Sequence, residues 1–405
     1  MNNESFLNEI EGLKVFDAHT HLVGSKLCAG DFWEIVHYFW FLRELQGAGY
    51  PENYADLAED ERIDAFLSSF KKTKGTGMHY AVRRIFKDLY DLEITDRGSV
   101  YTGLEKVKAS FDKEGWAKET VAKGNINYTV VNNKEHKSFT GLDGVSVWFP
   151  RIDGELHGAA RRIFHTELSK RSDAAEKEKT GILMHLGENH KNGANALMTT
   201  LNSIGKRTWQ NSGGTLETFD DCMIFLLHAI CGFAEEKRIN IQFFLGMERR
   251  HYSDAAPVDN NERILNLYGL FEKYKVNFDL VIASEGNNMD VVQAAHIFRN
   301  VYVGGMWWFN FRPSTYMDAM AKRFEVLAST KTYLSISDSR NIEWCYGKNV
   351  LIKKLVGDFL SRKVEEDYIN HEDALEIAGD WLFTAAENLY GNMQNCEVIG
   401  AFGSD

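Results

Sequence analysis

Eight short apolar runs punctuate this chain, and they limit its possible folds more than any other feature. They are "LKVFDAH" (13–19), "INYTVVN" (126–132), "GVSVWF" (144–149), "GILMHLG" (181–187), "INIQFFLG" (239–246), "FDLVIAS" (278–284), "VYVGGMWWF" (301–309) and "TYLSISD" (332–338). Most are nearly continuous in apolar residues, as strands covered on both faces are. Helix-like stretches stand between several of them, including "NMDVVQAAHIFR" before the seventh and "YMDAMAKRFEVLAS" before the eighth. Strand, helix, strand implies parallel pairing with right-handed crossovers. Eight such strands predict an α/β chain of the (β/α)8 TIM-barrel kind. An open doubly wound sheet is the rival, but no G-x-G-x-x-G follows the first strand, so dinucleotide binding has little support.

Two regions fall outside the alternation. Residues 22–125 read as a helical insertion after the first strand, and 366–391 as C-terminal helices. In a barrel, an insertion on the first βα loop lies on the face where the strands end, which is the active-site face. The 405 residues hold only four prolines and no low-complexity linker. They therefore read as one domain, 1–405, with 22–125 inserted in it.

The first run ends in "FDAHTHL". Residues two apart on a strand point the same way, so His19 and His21 share a face. Asp17 points to the opposite face and reads as a supporting residue. In the last run Leu334, Ile336 and Asp338 alternate with serines. Asp338 thus falls on the inward set, at a C-terminal strand end. A closed barrel pairs its last strand with its first, which sets Asp338 beside both histidines. Two imidazoles and a carboxylate form a common ligand set for one divalent metal. Zinc suits it, and manganese, iron or cobalt also fit. Alone, the His-x-His motif would more often be a hydrogen-bonded core feature.

Other polar residues follow predicted strand ends. They are Arg151 after the third, His185, Glu188 and His190 at the fourth, Arg249 and Arg250 after the fifth, and Arg340 after the eighth. Arginines at one rim would hold a carboxylate. His185 is more simply an interior histidine. Trp307 and Trp308 end the seventh run, where one could stack on a sugar face. His79, Arg83 and Arg84 lie on a helix of the insertion, and packing or solvent exposure explains most of them.

The net charge is -12, which argues against nucleic acid as a partner because phosphate binding needs clustered cations. Five cysteines with no C-x-x-C pair argue against a thiolate metal site. No run is long enough to predict a membrane span, and the polar N-terminus does not resemble a signal peptide. The expected setting is cytoplasmic. Homo-oligomer formation stays open, since Trp33, Phe39 and Trp40 suit an interface and a helical core equally.

Four stretches together resemble the uronate isomerase (glucuronate isomerase) family of the amidohydrolase superfamily. "FDAHTHL" is similar to the family's first-strand His-x-His, and "MHYAVRRIF" to its helical His-x-x-x-Arg-Arg-x-Phe. "GGMWWFN" resembles its Trp-Trp-Phe-Asn strand, and "ISDSRN" its closing Asp-Ser-Arg. The resemblance implies a metal-dependent (β/α)8 barrel acting on a sugar acid. His19, His21 and Asp338 would bind the metal, and Asp338 and Arg340 would carry the catalysis. Arg340 would belong to the substrate site and Arg151 would match the family's carboxylate-binding arginine, while Trp308 and His185 are substrate-contact candidates from their predicted strand-end positions alone. The implied reaction is aldose–ketose isomerisation of a hexuronate through an enediol. A mononuclear hydrolase and a non-catalytic sugar-acid binder are the alternatives. The chain departs from the family at Phe244, where the fifth strand would carry a histidine, and at Asn132 and Asn133, where an aspartate-rich turn would follow the second strand.

Overall fold

The computed structural model describes residues 3–132, 138–201, 204–208, 215–249 and 255–391. By its backbone contacts the chain forms two compact units. The first comprises Met1–Ser146, Arg312–Met317 and Ser335–Leu382, and the second Val147–Phe311, Asp318–Leu334 and Phe383–Asp405.

In the first unit, strand β1 (Val15–Asp17) pairs in parallel with β2 (Ile126–Val131). All three residues of β1 are buried, as expected of a strand covered on both faces. The last apolar run lies along the other edge of β1, but as hydrogen-bonded backbone and not as a full strand. Ala18 N–H donates to Ser335 O (3.0 Å), Asp338 N–H to His19 O (2.9 Å), and His21 N–H to Ser339 O (2.8 Å). The end of the chain's alternating pattern is thus brought beside its beginning.

The helix Ile342–Glu365 starts where Asn341 accepts a hydrogen bond from Trp344 N–H (3.1 Å), which satisfies one of the free N–H groups of a first turn. It packs against the helices Asn3–Glu11 and Gly77–Arg84. The stretch after β1 is helical, with elements at Phe32–Val36, Phe39–Gly47, Glu59–Phe70, Gly77–Arg84, Arg97–Phe111 and Trp116–Lys123.

The chain passes between the units within β3 (Ser146–Trp148). In the second unit β4 (Ala196–Leu201) and β5 (Asn240–Leu245) precede a short antiparallel pair, β6 (Met247–Arg249) and β7 (Ala255–Pro257). Then come β8 (Phe278–Ile282) and β9 (Val301–Met306). Strands β4, β5, β8 and β9 pair in parallel in that order. Single bridges extend this sheet at both edges, Arg151 to Met198 and Val303 to Thr332. Helices Asp153–His165, Arg171–Lys191 and Phe219–Lys237 share the apolar core beside it. Among the described residues no helix is long and apolar enough to cross a membrane.

The fourth expected strand is the main correction. Residues 181–187 lie inside the helix Arg171–Lys191, and the strand is "ALMTTL", 196–201. In that helix Ile182 and Leu186 are buried while Met184 is 65% exposed, a helical period of four and not a strand period of two. The preceding "AAEKEK" favours helix, and a short apolar run cannot override it.

Candidate metal centre

Strand β1 stops at Asp17, and the next four residues carry both histidines over the strand end. His19 Nε2 lies 3.3 Å from Asp338 Oδ1, and His21 Nε2 lies 3.0 Å from the same oxygen. The two imidazoles stand edge to face, 4.9 Å apart. One ligand atom from each of the three residues lies within 4.8 Å of the others. His19 is buried, whereas the His21 side chain is 37% exposed, so the centre has one side open to solvent.

The donor set suits a divalent metal. Asp338 Oδ1 is buried and, despite its close neighbours, makes no hydrogen bond of acceptable direction. Ligand atoms that share a metal at about 2.1 Å stand roughly 3.0–3.4 Å apart, and both nitrogen–oxygen distances fall there. Burial pushes the Asp338 carboxyl up. The His19 and His21 imidazoles beside it outweigh that and hold it well below the usual carboxylate range.

Asp338 has φ +53°, in the left-handed region. Aspartate tolerates this conformation better than most residues, and such strain often marks functional positions. Several polar groups fix the turn. Asp17, fully buried, accepts hydrogen bonds from Ser337 N–H (2.9 Å) and Asn349 Nδ2 (3.2 Å). This is the supporting place its opposite orientation on β1 implies. Tyr38 O–H donates to Asp338 O (3.0 Å). Lys348 donates to Tyr38 O–H (2.7 Å) and Ser337 O (2.6 Å). Burial brings the Lys348 amine down to about 8, against the pull of Asp338 and Asp17.

Tyr38 and Lys348 are site residues that sequence reasoning missed. The available signal was a lysine inside the apolar "WCYGKNVL", where a buried ammonium must find partners. Asn132, one of the departures from the family pattern, also stands here. Its Nδ2 donates to Thr20 O (2.8 Å) and lies 3.4 Å from His19 Nδ1. Asn133 lies outside the described residues. Arg340 is exposed, two residues beyond Asp338.

The other expected site residues belong to the second unit. Arg151 pairs with Asp153 (2.6 Å) and reaches Thr200 Oγ1 (3.4 Å). His185 is not at a strand end. It sits half-buried on the helix Arg171–Lys191 with Asn189 Nδ2 at 3.1 Å from its Nε2, and Glu188 and His190 ride the same helix. Trp308 is half-buried at φ +54°, and its neighbour Trp307 is buried against Phe244, rings 4.8 Å apart. Phe244 thus fills its place on β5 with apolar packing. Arg249 is the last residue of β6, and Arg250 lies outside the described residues. In the insertion, Arg84 is tied to Asp88 (2.5 Å) and Glu11 (3.1 Å).

No protein-family model matches the sequence. No curated protein matches it either. Solved structures do. Uronate isomerase from Thermotoga maritima aligns with a TM-score of 0.79 at 15% identity, over 96% of this chain and 97% of that one. Uronate isomerase from Bacillus halodurans C-125 gives 0.77 at 15% identity, over 96% of each. Glucuronate isomerase from Caulobacter crescentus gives 0.78 at 14% identity, over 98% of this chain and 95% of that one. The agreement runs from end to end with little sequence in common, and the chain has the fold of the uronate isomerases.

Proposed function

We propose that this protein is a uronate isomerase, interconverting a hexuronate of the D-glucuronate or D-galacturonate type and the matching ketose. The observation that carries the reading is the convergence of His19, His21 and Asp338 in a chain that shares the uronate isomerase fold throughout. Fold likeness alone would not specify an activity.

In this reading His19 Nε2, His21 Nε2 and Asp338 Oδ1 hold one divalent metal. Such a metal would supply Lewis-acid polarisation of the substrate's oxygens. The reaction moves a proton between C2 and C1 through an enediol. Asp338 carries that proton, and its fixed left-handed turn orients the carboxyl for the transfer. Arg340, exposed and two residues on, stabilises the negative charge that develops on the enediol oxygens. The Tyr38–Lys348 pair holds the Asp338 backbone still while this happens. Arg151, paired with Asp153, and Trp308 belong to the second unit and are given no part in this step. His185 is dropped, because its helix placement removes the reason for choosing it.

The test is incubation of metal-replete protein with D-glucuronate and D-galacturonate, following ketose formation. Conversion of either by the wild type and not by Asp338→Asn is the expected result. Protein that holds one metal per chain and converts neither sugar overturns the assignment.

A further inference from the structure

A cavity of about 570 Å³ lies in the helical insertion of the first unit, lined by Phe70, Lys71, Lys74, His79, Tyr80, Arg83, Phe86, Leu92, Glu93, Ile94 and Thr95. That volume suits a monosaccharide-sized ligand. The metal centre is elsewhere in the same unit. His79 meets Phe41 (6.3 Å between ring centres), Phe41 meets Trp344 (6.4 Å), and Trp344 stacks on Tyr38 (4.3 Å), whose hydroxyl reaches Asp338. A chain of ring contacts thus runs from His79 on the cavity wall to the tyrosine that holds Asp338, and no lining residue is a metal-ligand candidate.

Three features of its lining are complementary to one kind of molecule. Lys71, Lys74 and Arg83 are exposed cations on the wall of the cavity, with Glu93 as its lining acid. This reverses the sign of a chain whose net charge is -12. Phe70 and Phe86 are buried and give the wall an apolar patch, suited to the C–H face of a sugar. His79 supplies a neutral acceptor. Thr73 Oγ1 donates its single proton to Phe70 O (3.0 Å), so its 2.9 Å contact with His79 Nδ1 has the imidazole donating. Nε2 then keeps its lone pair for a ligand hydroxyl. Burial, with the charges of Arg83 and Lys74, lowers the imidazole to about 4 and keeps it uncharged.

We propose that this cavity binds a small polyhydroxylated organic anion of the sugar-acid class, independently of the metal centre. The cations take its carboxylate, His79 takes a hydroxyl, and the phenyl rings take its carbon face. The site does not depend on the isomerase assignment, because none of its residues belongs to that reaction.

Calorimetric titration with D-gluconate tests it, since this acid has no aldehyde to isomerise. Wild type and Asp338→Asn should bind alike. Lys74→Glu/Arg83→Glu should bind about tenfold more weakly or worse, because a charge-assisted contact is worth at least that much. Both substituted residues are exposed, and matching thermal melts verify that the variant is folded. D-Glucitol, which lacks the carboxylate, should not bind. Unchanged gluconate affinity in the double variant overturns the proposal, as does loss of binding in Asp338→Asn. Inorganic phosphate binding as tightly as gluconate overturns the sugar-acid class, since a bare charge patch would then suffice.

Discussion

Asp338 in the first unit and Asp279 in the second are both carboxyls removed from water, yet their surroundings differ in kind. Asp338 Oδ1 faces two imidazole nitrogens from residues at the end of β1. Asp279 sits within β8, where its Oδ2 accepts from Tyr333 O–H (2.5 Å), Tyr390 O–H (2.6 Å) and Gln242 Nε2 (2.9 Å). Burial raises the Asp279 carboxyl, and these donors, with the charge of Arg323, only partly offset it. The imidazoles instead carry Asp338 far the other way. Each aspartate also has a buried Oδ1 without a hydrogen bond. Burial is therefore not what marks a metal centre. The partners are: the imidazole lone pairs beside Asp338 can share a cation with it, whereas the two hydroxyls and the amide N–H beside Asp279 donate hydrogen bonds to it.

Substitution separates the two most sharply in metal content. Wild type should hold one divalent metal per chain, and His19→Ala/Asp338→Asn close to none, by elemental analysis. Asp279→Asn should keep its metal in full. Equal metal in all three proteins would break the distinction.

Stability should show the reverse order. Asp279→Ala removes the acceptor shared by two tyrosine hydroxyls and an amide and should lower unfolding free energy by roughly 3 kcal/mol or more. Urea denaturation measures it, with metal content unchanged.

A smaller effect is expected at Gly304, whose place on β9 faces the same cluster. A Cβ there would stand 2.6 Å from Val281 Cγ2, 2.9 Å from Asp279 Oδ1 and 3.0 Å from Tyr333 O–H. Gly304→Ala should destabilise by about 1–3 kcal/mol through overpacking, seen as a lower urea midpoint.

The smallest effect is one of pH. A carboxyl raised by burial favours the protonated folded state, so its stabilisation is whole below about pH 4, where the unfolded group titrates. It is lost as pH rises through the raised folded value. Asp279→Asn cannot titrate, and its urea midpoint should fall less than wild type between pH 4 and neutrality. Parallel curves would mean that Asp279 is ionised throughout, like Asp338.

Much of the architecture was legible in the chain. Seven of the eight apolar runs lie where backbone pairs with a strand or bridges to one, since a two-sided buried strand needs nearly continuous apolar residues. The exception, 181–187, was ambiguous because a short apolar run reads the same in helix and strand. His185 was misplaced with it. The metal-ligand candidates were legible from the spacing of two between His19 and His21 and from the place of Asp338 in the last run, although both segments leave regular strand before those residues.

The sequence by itself determined which residues could meet: His19 with His21 by a spacing of two, and Asp338 by its place in the last run. Only the tertiary structure decided how they meet. The left-handed turn at Asp338, the Tyr38 hydroxyl on its carbonyl and the Lys348 ammonium beneath both join residues about 300 apart in the chain. No local pattern encodes such contacts, because they depend on which helix covers which strand end. The same is true of Asp279, whose partners come from three separate segments and whose burial no neighbour in sequence announces.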